Sequence, residues 1–265
     1  MYGYILWAEN IKDKMENKPK VVQLTLTYNR HKLLERNIAA FLEQDYEGEH
    51  TLFIYNTGEP TTLAPLELPD NKKVILLNNQ KDYITREDYK SVGDKYRDAY
   101  IHLFNYDVIN HLDDDDFALP NNMSNCVNGY LRALEEGKLS YKPKKSWFFY
   151  HDDVYSAENV CEGSIFIDFK FMKEVKFPSI SVKYHDCWVH PLQGSKMLVD
   201  AEAPATWIYD WGNYSPAYKM SGRADTVENF KASQKLSWDI GDGIITPLSK
   251  EVLYSLYERV SIPQS

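Results

Sequence analysis

Four short apolar segments, each cut off by a polar residue, constrain the fold of this 265-residue chain more than any other feature. Val21 to Thr27 stops at Tyr28-Asn29-Arg30, and Thr51 to Tyr55 stops at Asn56-Thr57-Gly58. Val74 to Leu77 stops at Asn78-Asn79, and Val108 to Leu112 runs into Asp113. Each is β-branched or apolar enough for a buried strand. Between the first and second, Leu33, Leu34, Asn37, Ile38, Phe41 and Leu42 recur at helical spacing, so 31–43 reads as an amphipathic helix. Before the fourth, Val92, Tyr96, Ala99, Tyr100 and Leu103 mark a helix from about Asp88 to Phe104. This β-α-β-β-α-β order implies an α/β fold, a three-layer sandwich around a mostly parallel sheet. Ligands of such sheets sit outside the carboxyl ends of the strands, where Asn29, Asn56, Asn78 and Asp113 all fall.

The fourth segment leads into Asp113-Asp114-Asp115-Asp116, followed at once by Phe117, Leu119 and Pro120. Four adjacent carboxylates repel one another, and a strand end offers little to offset that. An acidic loop that stays in water is one reading. Apolar residues on both sides favour the other, a hard divalent cation held by carboxylate oxygens together with nucleotide phosphates.

The later half is less regular. Ser146 to Tyr150, Ser164 to Ile167, Leu198-Val199 and Thr206 to Tyr209 look like strands, and a helix is expected to start near Asp186. Val227 to Leu236 and Lys250 to Val260 read as C-terminal helices. We expect one domain over 1–225 with a helical segment, 226–265, packed on it.

Composition bounds the function. The net charge of −9 argues against broad attraction to nucleic acid or anionic membrane, although Lys142-Pro143-Lys144-Lys145 is a candidate local basic patch. Tyrosine is abundant, 20 residues beside 6 Trp and 11 Phe, which suits either a ring-lined groove or ordinary half-buried packing. Cys126, Cys161 and Cys187 have no metal-ligand spacing, and three is an odd number, so a reduced, cytoplasmic setting is expected. Tyr2 to Trp7 lacks the flanks of a signal peptide, and no stretch approaches the length of a membrane span.

Three motifs together resemble the family 2 glycosyltransferases of the nucleotide-diphospho-sugar (GT-A) fold. Leu24 to Arg30 is similar to that family's opening strand and T-Y-N-R turn. Ser91-Val92-Gly93-Asp94-Lys95 resembles its S-x-G-x-K segment. Leu112 to Pro120 resembles its L-D-x-D-D-x-x-x-P signature, and the order of the family is followed from about Val21 to Gly222.

The resemblance implies an inverting, metal-assisted transfer of sugar from a nucleotide-diphosphate sugar, a UDP-sugar by preference, to an acceptor hydroxyl. It places Thr27 and Asn29 at the nucleoside pocket with Tyr28 packing nearby, Arg30 among the donor-binding residues, and Lys95 near the phosphates or nucleotide. Asn56 stands where the family usually has an Asp near the base. Asp113 would contact ribose or sugar, Asp115 would hold Mn²⁺ or Mg²⁺, and Asp114 and Asp116 would orient their neighbours. Asp186, in Tyr184-His185-Asp186-Cys187-Trp188, matches the family's general base, with Asp152 and Asp153 as competitors, and Glu162-Gly163-Ser164 resembles an acceptor-side loop. Lys219 stands where a metal-binding His is expected, and a protonated lysine suits the diphosphate instead of a metal. The acceptor is a glycan or another hydroxyl-bearing molecule, with nucleic acid entering only as an acceptor through a hydroxylated base. Two competing readings are a nucleotidyltransferase, which would want a glycine-rich loop after the first strand, and a sugar-nucleotide-binding protein without turnover.

Overall fold

The computed structural model describes residues 14, 17–150, 153–158, 165–172, 196–210 and 244–247. Twelve strands form two sheets. The larger contains β1 (Val21–Thr27), β2 (His50–Asn56), β3 (Lys72–Asn78), β4 (Val108–His111), β6 (Ser140–Pro143), β9 (Phe166–Asp168) and β10 (Met197–Asp200). Its order is β10-β6-β9-β4-β1-β2-β3. Neighbours are parallel except where β9 runs antiparallel to β4 and β6, so the sheet is mostly parallel. The smaller sheet joins β5 (Phe117–Ala118), β7 (Lys145–Tyr150), β8 (Asp153–Glu158), β11 (Trp207–Asp210) and β12 (Ile244–Pro247).

Alternation along the central strands sorts the core into two layers, because successive side chains leave opposite faces. On one face Leu52 and Ile54 meet Leu34, Ile38 and Phe41 of α1 (His31–Leu42). On that face Val21, Val108 and Phe166 meet Met123, Cys126, Val127 and Tyr130 of α3 (Asn122–Glu135). On the other face Val22, Leu24, Phe53, Tyr55 and Ile109 meet Tyr96, Ala99 and Leu103, the first two on α2 (Val92–Tyr100). The short α4 (Phe169–Met172) adds to the second layer. Helices therefore cover both faces, the expected α/β/α sandwich.

Three details differ from the sequence reading. Helix α2 starts later than Asp88, because the Ser91 hydroxyl accepts a hydrogen bond from the Asp94 amide at 3.1 Å and caps the first turn. Asp88 instead forms an isolated bridge with Lys81. Helix α3 was not anticipated, since Asn122, Asn125, Asn128 and Gly129 dilute its helix propensity. Gly129 has a packing reason: a Cβ there would lie 2.1 Å from the Tyr141 ring. The Lys142–Lys145 run is also no surface patch. Lys142 is fully buried in β6 with its ammonium on the Pro143 carbonyl, and Lys144 pairs with Glu158 at 2.9 Å.

The helix expected near Asp186 and the two C-terminal helices lie outside the described residues. Within the expected C-terminal segment, Ile244–Pro247 is a strand paired antiparallel with β8. Among the described residues, no helix is long and apolar enough to cross a membrane.

Candidate functional site

Parallel register brings the strand ends together. Thr27 of β1 is level with Asn56 of β2, and Asn56 with Asn78 of β3. Strand β4 ends at His111, level with Leu24, and the acidic run then climbs beside the last residues of β1. The Leu112 amide donates to the Leu24 carbonyl at 3.1 Å, and the Thr25 hydroxyl donates to the Leu112 carbonyl at 2.8 Å. Thr27 then donates its hydroxyl to Asp114 Oδ2 at 2.7 Å. The acidic turn is thus tied to β1 by backbone and side-chain hydrogen bonds together.

The four aspartates part into two roles. Asp114 is paired between Thr27 and Arg30, whose Nη1 lies 2.7 Å from Asp114 Oδ1, and like Asp115 and Asp116 it is buried. Burial raises its pKa, and the nearby guanidinium only partly offsets that rise. Asp113, Asp115 and Asp116 each offer a carboxylate oxygen, and these atoms all lie within 4.8 Å of one another. Three hard oxygen donors at that spacing, without His or Cys, suit a divalent cation such as Mn²⁺ or Mg²⁺. The sequence reading gave the metal to Asp115 alone; the geometry sets Asp113 and Asp116 close enough to share an ion with it, and Asp114 lies outside that group.

The acidic turn is braced from α1 by residues the motifs do not include. Arg36 Nη2 donates to the Asp115 carbonyl at 2.6 Å, and Asn37 Nδ2 to the Asp113 carbonyl at 3.3 Å. Asn37 is a polar residue on the buried stripe of an amphipathic helix, and that misfit was the signal for its role. Arg30 sits at the N-cap of α1 and also reaches Asp115 Oδ2 at 3.2 Å. Burial opposes its charge, but Asp114 and Asp115 more than compensate and raise its pKa. His111 supplies no charge here: burial lowers its pKa to about 3, and its ring bonds to the Tyr100 hydroxyl.

The remaining candidates flank this centre. Tyr28 is 51% exposed, an uncovered ring at the rim. The Lys95 ammonium lies 5.1 Å from the centre of that ring and 5.9 Å from the Tyr89 ring. Burial first, then Arg30, lowers the Lys95 pKa, while Asp114 opposes. Asn29 adopts φ +56° and accepts from the Glu59 amide at 2.7 Å, so it shapes the turn. Asn56 is committed internally: its Nδ2 donates to Glu59 O and Asn78 Oδ1, both at 2.8 Å, and its Oδ1 accepts from Gly58 N at 3.0 Å. Both amide hydrogens are taken, which leaves none for a nucleobase. Asp186, Lys219 and Asp152 lie outside the described residues, and Asp153 is described only as the first residue of β8.

Comparison with solved structures bears on the fold that carries these residues. The chain is similar to S. aureus TarS, with 13% identity and a TM-score of 0.51 over 84% of this chain and 41% of that one. It is similar to the mannosyltransferase PcManGT from Pyrobaculum calidifontis in complex with GDP-Man and Mn²⁺, at 11% identity and TM-score 0.50, covering 81% of this chain and 66% of that one. The fold is GT-A-like. TarS 1-349 in complex with UDP-GlcNAc aligns at 12% identity and TM-score 0.50 over 84% of this chain and 68% of that one. At these identities the likeness concerns the fold. This chain spans less than half the length of the longer TarS chain. No protein-family model matches the sequence, and no curated protein matches it.

Proposed function

We propose that this chain is an inverting glycosyltransferase that moves a sugar from a nucleotide-diphosphate sugar, preferentially a UDP-sugar, to an acceptor hydroxyl. The observation that carries the reading is the Asp113, Asp115 and Asp116 cluster at the carboxyl rim of parallel strands, with Arg30 and Lys95 beside it. Support for a sugar nucleotide comes from the fold neighbours, one holding UDP-GlcNAc and another GDP-Man with Mn²⁺.

In this reading Tyr28 offers a ring to the nucleoside, and Arg30 and Lys95 offer positive charge to the diphosphate. Asp113, Asp115 and Asp116 would hold a Mn²⁺ or Mg²⁺ ion, which when bound supplies Lewis-acid neutralisation of the leaving diphosphate. Asp186, or else Asp152 or Asp153, takes the acceptor hydroxyl proton as that oxygen attacks the anomeric carbon. The bond from that carbon to the diphosphate oxygen breaks on the opposite face, which inverts the configuration. Lys219 stabilises the same departing charge. The acceptor class we favour is a glycan or another hydroxyl-bearing molecule, a hydroxylated nucleobase in DNA among them.

A donor screen by nucleotide release, followed by mass spectrometry of candidate acceptors, tests this. Release of a nucleoside diphosphate with an acceptor gaining one sugar mass is expected. Tight sugar-nucleotide binding with no release under any acceptor would instead make the chain a binding protein.

A further inference from the structure

We propose that Arg30 is a built-in rival of the divalent cation: it occupies Asp115 when the site is empty and yields that carboxylate when cation and diphosphate arrive. The inference rests on reading the acidic turn as a metal and diphosphate site. It starts from the sharing of Asp115, whose Oδ2 is 3.2 Å from Arg30 Nη1 while its carboxylate also belongs to the cluster of three. The same nitrogen holds Asp114 more closely, at 2.7 Å. Asp114 stands outside that cluster and is buried, so it anchors the guanidinium whatever happens at Asp115.

The backbone under Arg30 is held, and Asp114 tethers its guanidinium. Arg30 precedes the first turn of α1, and its carbonyl accepts from the Leu34 amide at 3.0 Å. The guanidinium therefore stays beside the site and changes partner rather than leaving. A divalent cation on Asp115 takes the carboxylate lone pairs that the guanidinium uses and repels it as a like charge. A diphosphate gives the freed donors two or more new oxygens, which match the planar fork of arginine. Cation and diphosphate therefore favour each other's binding through Arg30, a linkage that runs equally in both directions. The arrangement also answers the repulsion among four aspartates in the unliganded chain, since an internal cation is already among them.

The test is the affinity for Mn²⁺ alone, read from the electron paramagnetic resonance of free Mn²⁺ during titration. Four proteins are compared: wild type, Arg30→Gln, Arg30→Lys and Lys95→Gln, each checked by thermal melting. Arg30→Gln removes the rival and should bind Mn²⁺ about tenfold tighter, the worth of one charge-assisted contact. Arg30→Lys keeps the charge but not the fork, and should tighten binding by about threefold. Lys95→Gln removes a nearby charge that makes no described contact with Asp115, and should change affinity by about twofold. If Arg30→Gln unfolds, the step from wild type to Arg30→Lys still decides.

Mn²⁺ binding seen only in the Arg30 variants would support the rivalry strongly. Equal affinity in wild type and both Arg30 variants would overturn it and leave the metal reading standing. So would a Lys95→Gln effect as large as that of Arg30→Gln, because the field alone would then explain both. Absence of Mn²⁺ binding in all four proteins would remove the metal reading itself, and the rivalry with it.

Discussion

Two clusters in this molecule each gather several aspartates around one arginine, and they resolve the same electrostatic problem differently. On α2, Arg97 reaches Asp94 at 2.8 Å, Asp98 at 2.9 Å and Asp82 at 2.7 Å. The rest of each carboxylate is also satisfied, Asp82 by the Ile84 and Thr85 amides, Asp94 by Ser91, and Asp98 by the Tyr83 amide and the Tyr89 hydroxyl. Every acceptor is matched to a donor within the chain. At the sheet rim Arg30 meets Asp114 and Asp115, and one carboxylate oxygen of Asp115 converges with one each from Asp113 and Asp116. The pKa directions follow this contrast: amide and Arg97 hydrogen bonds outweigh burial and lower Asp82, whereas burial outweighs Arg30 and raises Asp114. A closed cluster holds a loop on a helix, while the convergent one is, in the proposed function, the place of a cation from solution.

The largest expected effect lies in the convergent cluster. Asp115→Asn should reduce turnover by about 10²–10³-fold, as loss of one group that stabilises transition-state charge commonly does. Its melting temperature should hardly move, because the change also relieves repulsion. Near wild-type turnover with an unchanged metal response would erase the distinction between the clusters. The reciprocal experiment strikes the closed one. Arg97→Ala should cost about 3–5 kcal/mol in a denaturant titration, since three buried carboxylates lose their common cation. A loss no larger than that of Arg30→Ala would mean the two arginines are equivalent.

Between these extremes stands the neutral Asn56–Asn78 pair. Asn56→Asp restores the residue type usual in the resembled family, yet it sets a carboxylate against the Glu59 carbonyl. Loss of two donated hydrogen bonds should cost about 1–3 kcal/mol, read from the thermal midpoint. An undiminished midpoint would show that the internal hydrogen bonds matter little there. The smallest effect concerns pH. Asp82 has a folded pKa below its ordinary 3.8, so its stabilising contribution is present above that value and fades as pH falls through the lowered one. Asp82→Asn should therefore lose stability less steeply with acid below pH 3.8 than wild type does, in urea midpoints taken across pH. A curve parallel to wild type would deny Asp82 its place in the closed cluster.

The sequence made the central layer and its rim legible because β1 to β4 are apolar runs with sharp polar ends. The acidic run stood out for the same reason. Less visible were features set by distant partners. Asn37 shows in the sequence only as a polar misfit on an amphipathic stripe, and its partner is not evident until the acidic turn lies against it. Arg97 reads as a helix-surface arginine, because Asp82 reaches it only through the fold of the 79–90 loop. Strand β6 is short and gains its identity from pairing, and Lys142 looks basic and exposed until β6 buries it. The division of four like aspartates into one outside the cluster, held by Thr27 and Arg30, and three convergent ones depends on turn geometry that composition does not encode.

Gly58 lies so close to the Asn29 turn that a Cβ there would fall 2.3 Å from Asn29 Oδ1 and 2.7 Å from Asn29 N. The loops after β1 and β2 consequently interlock like adjoining teeth. An engineer who replaces one of them, to alter the ligand preference of the proposed site, also inherits the shape demanded by the other. The two loops form a single exchangeable part, and the useful chimera carries residues 28–30 and 57–59 across together.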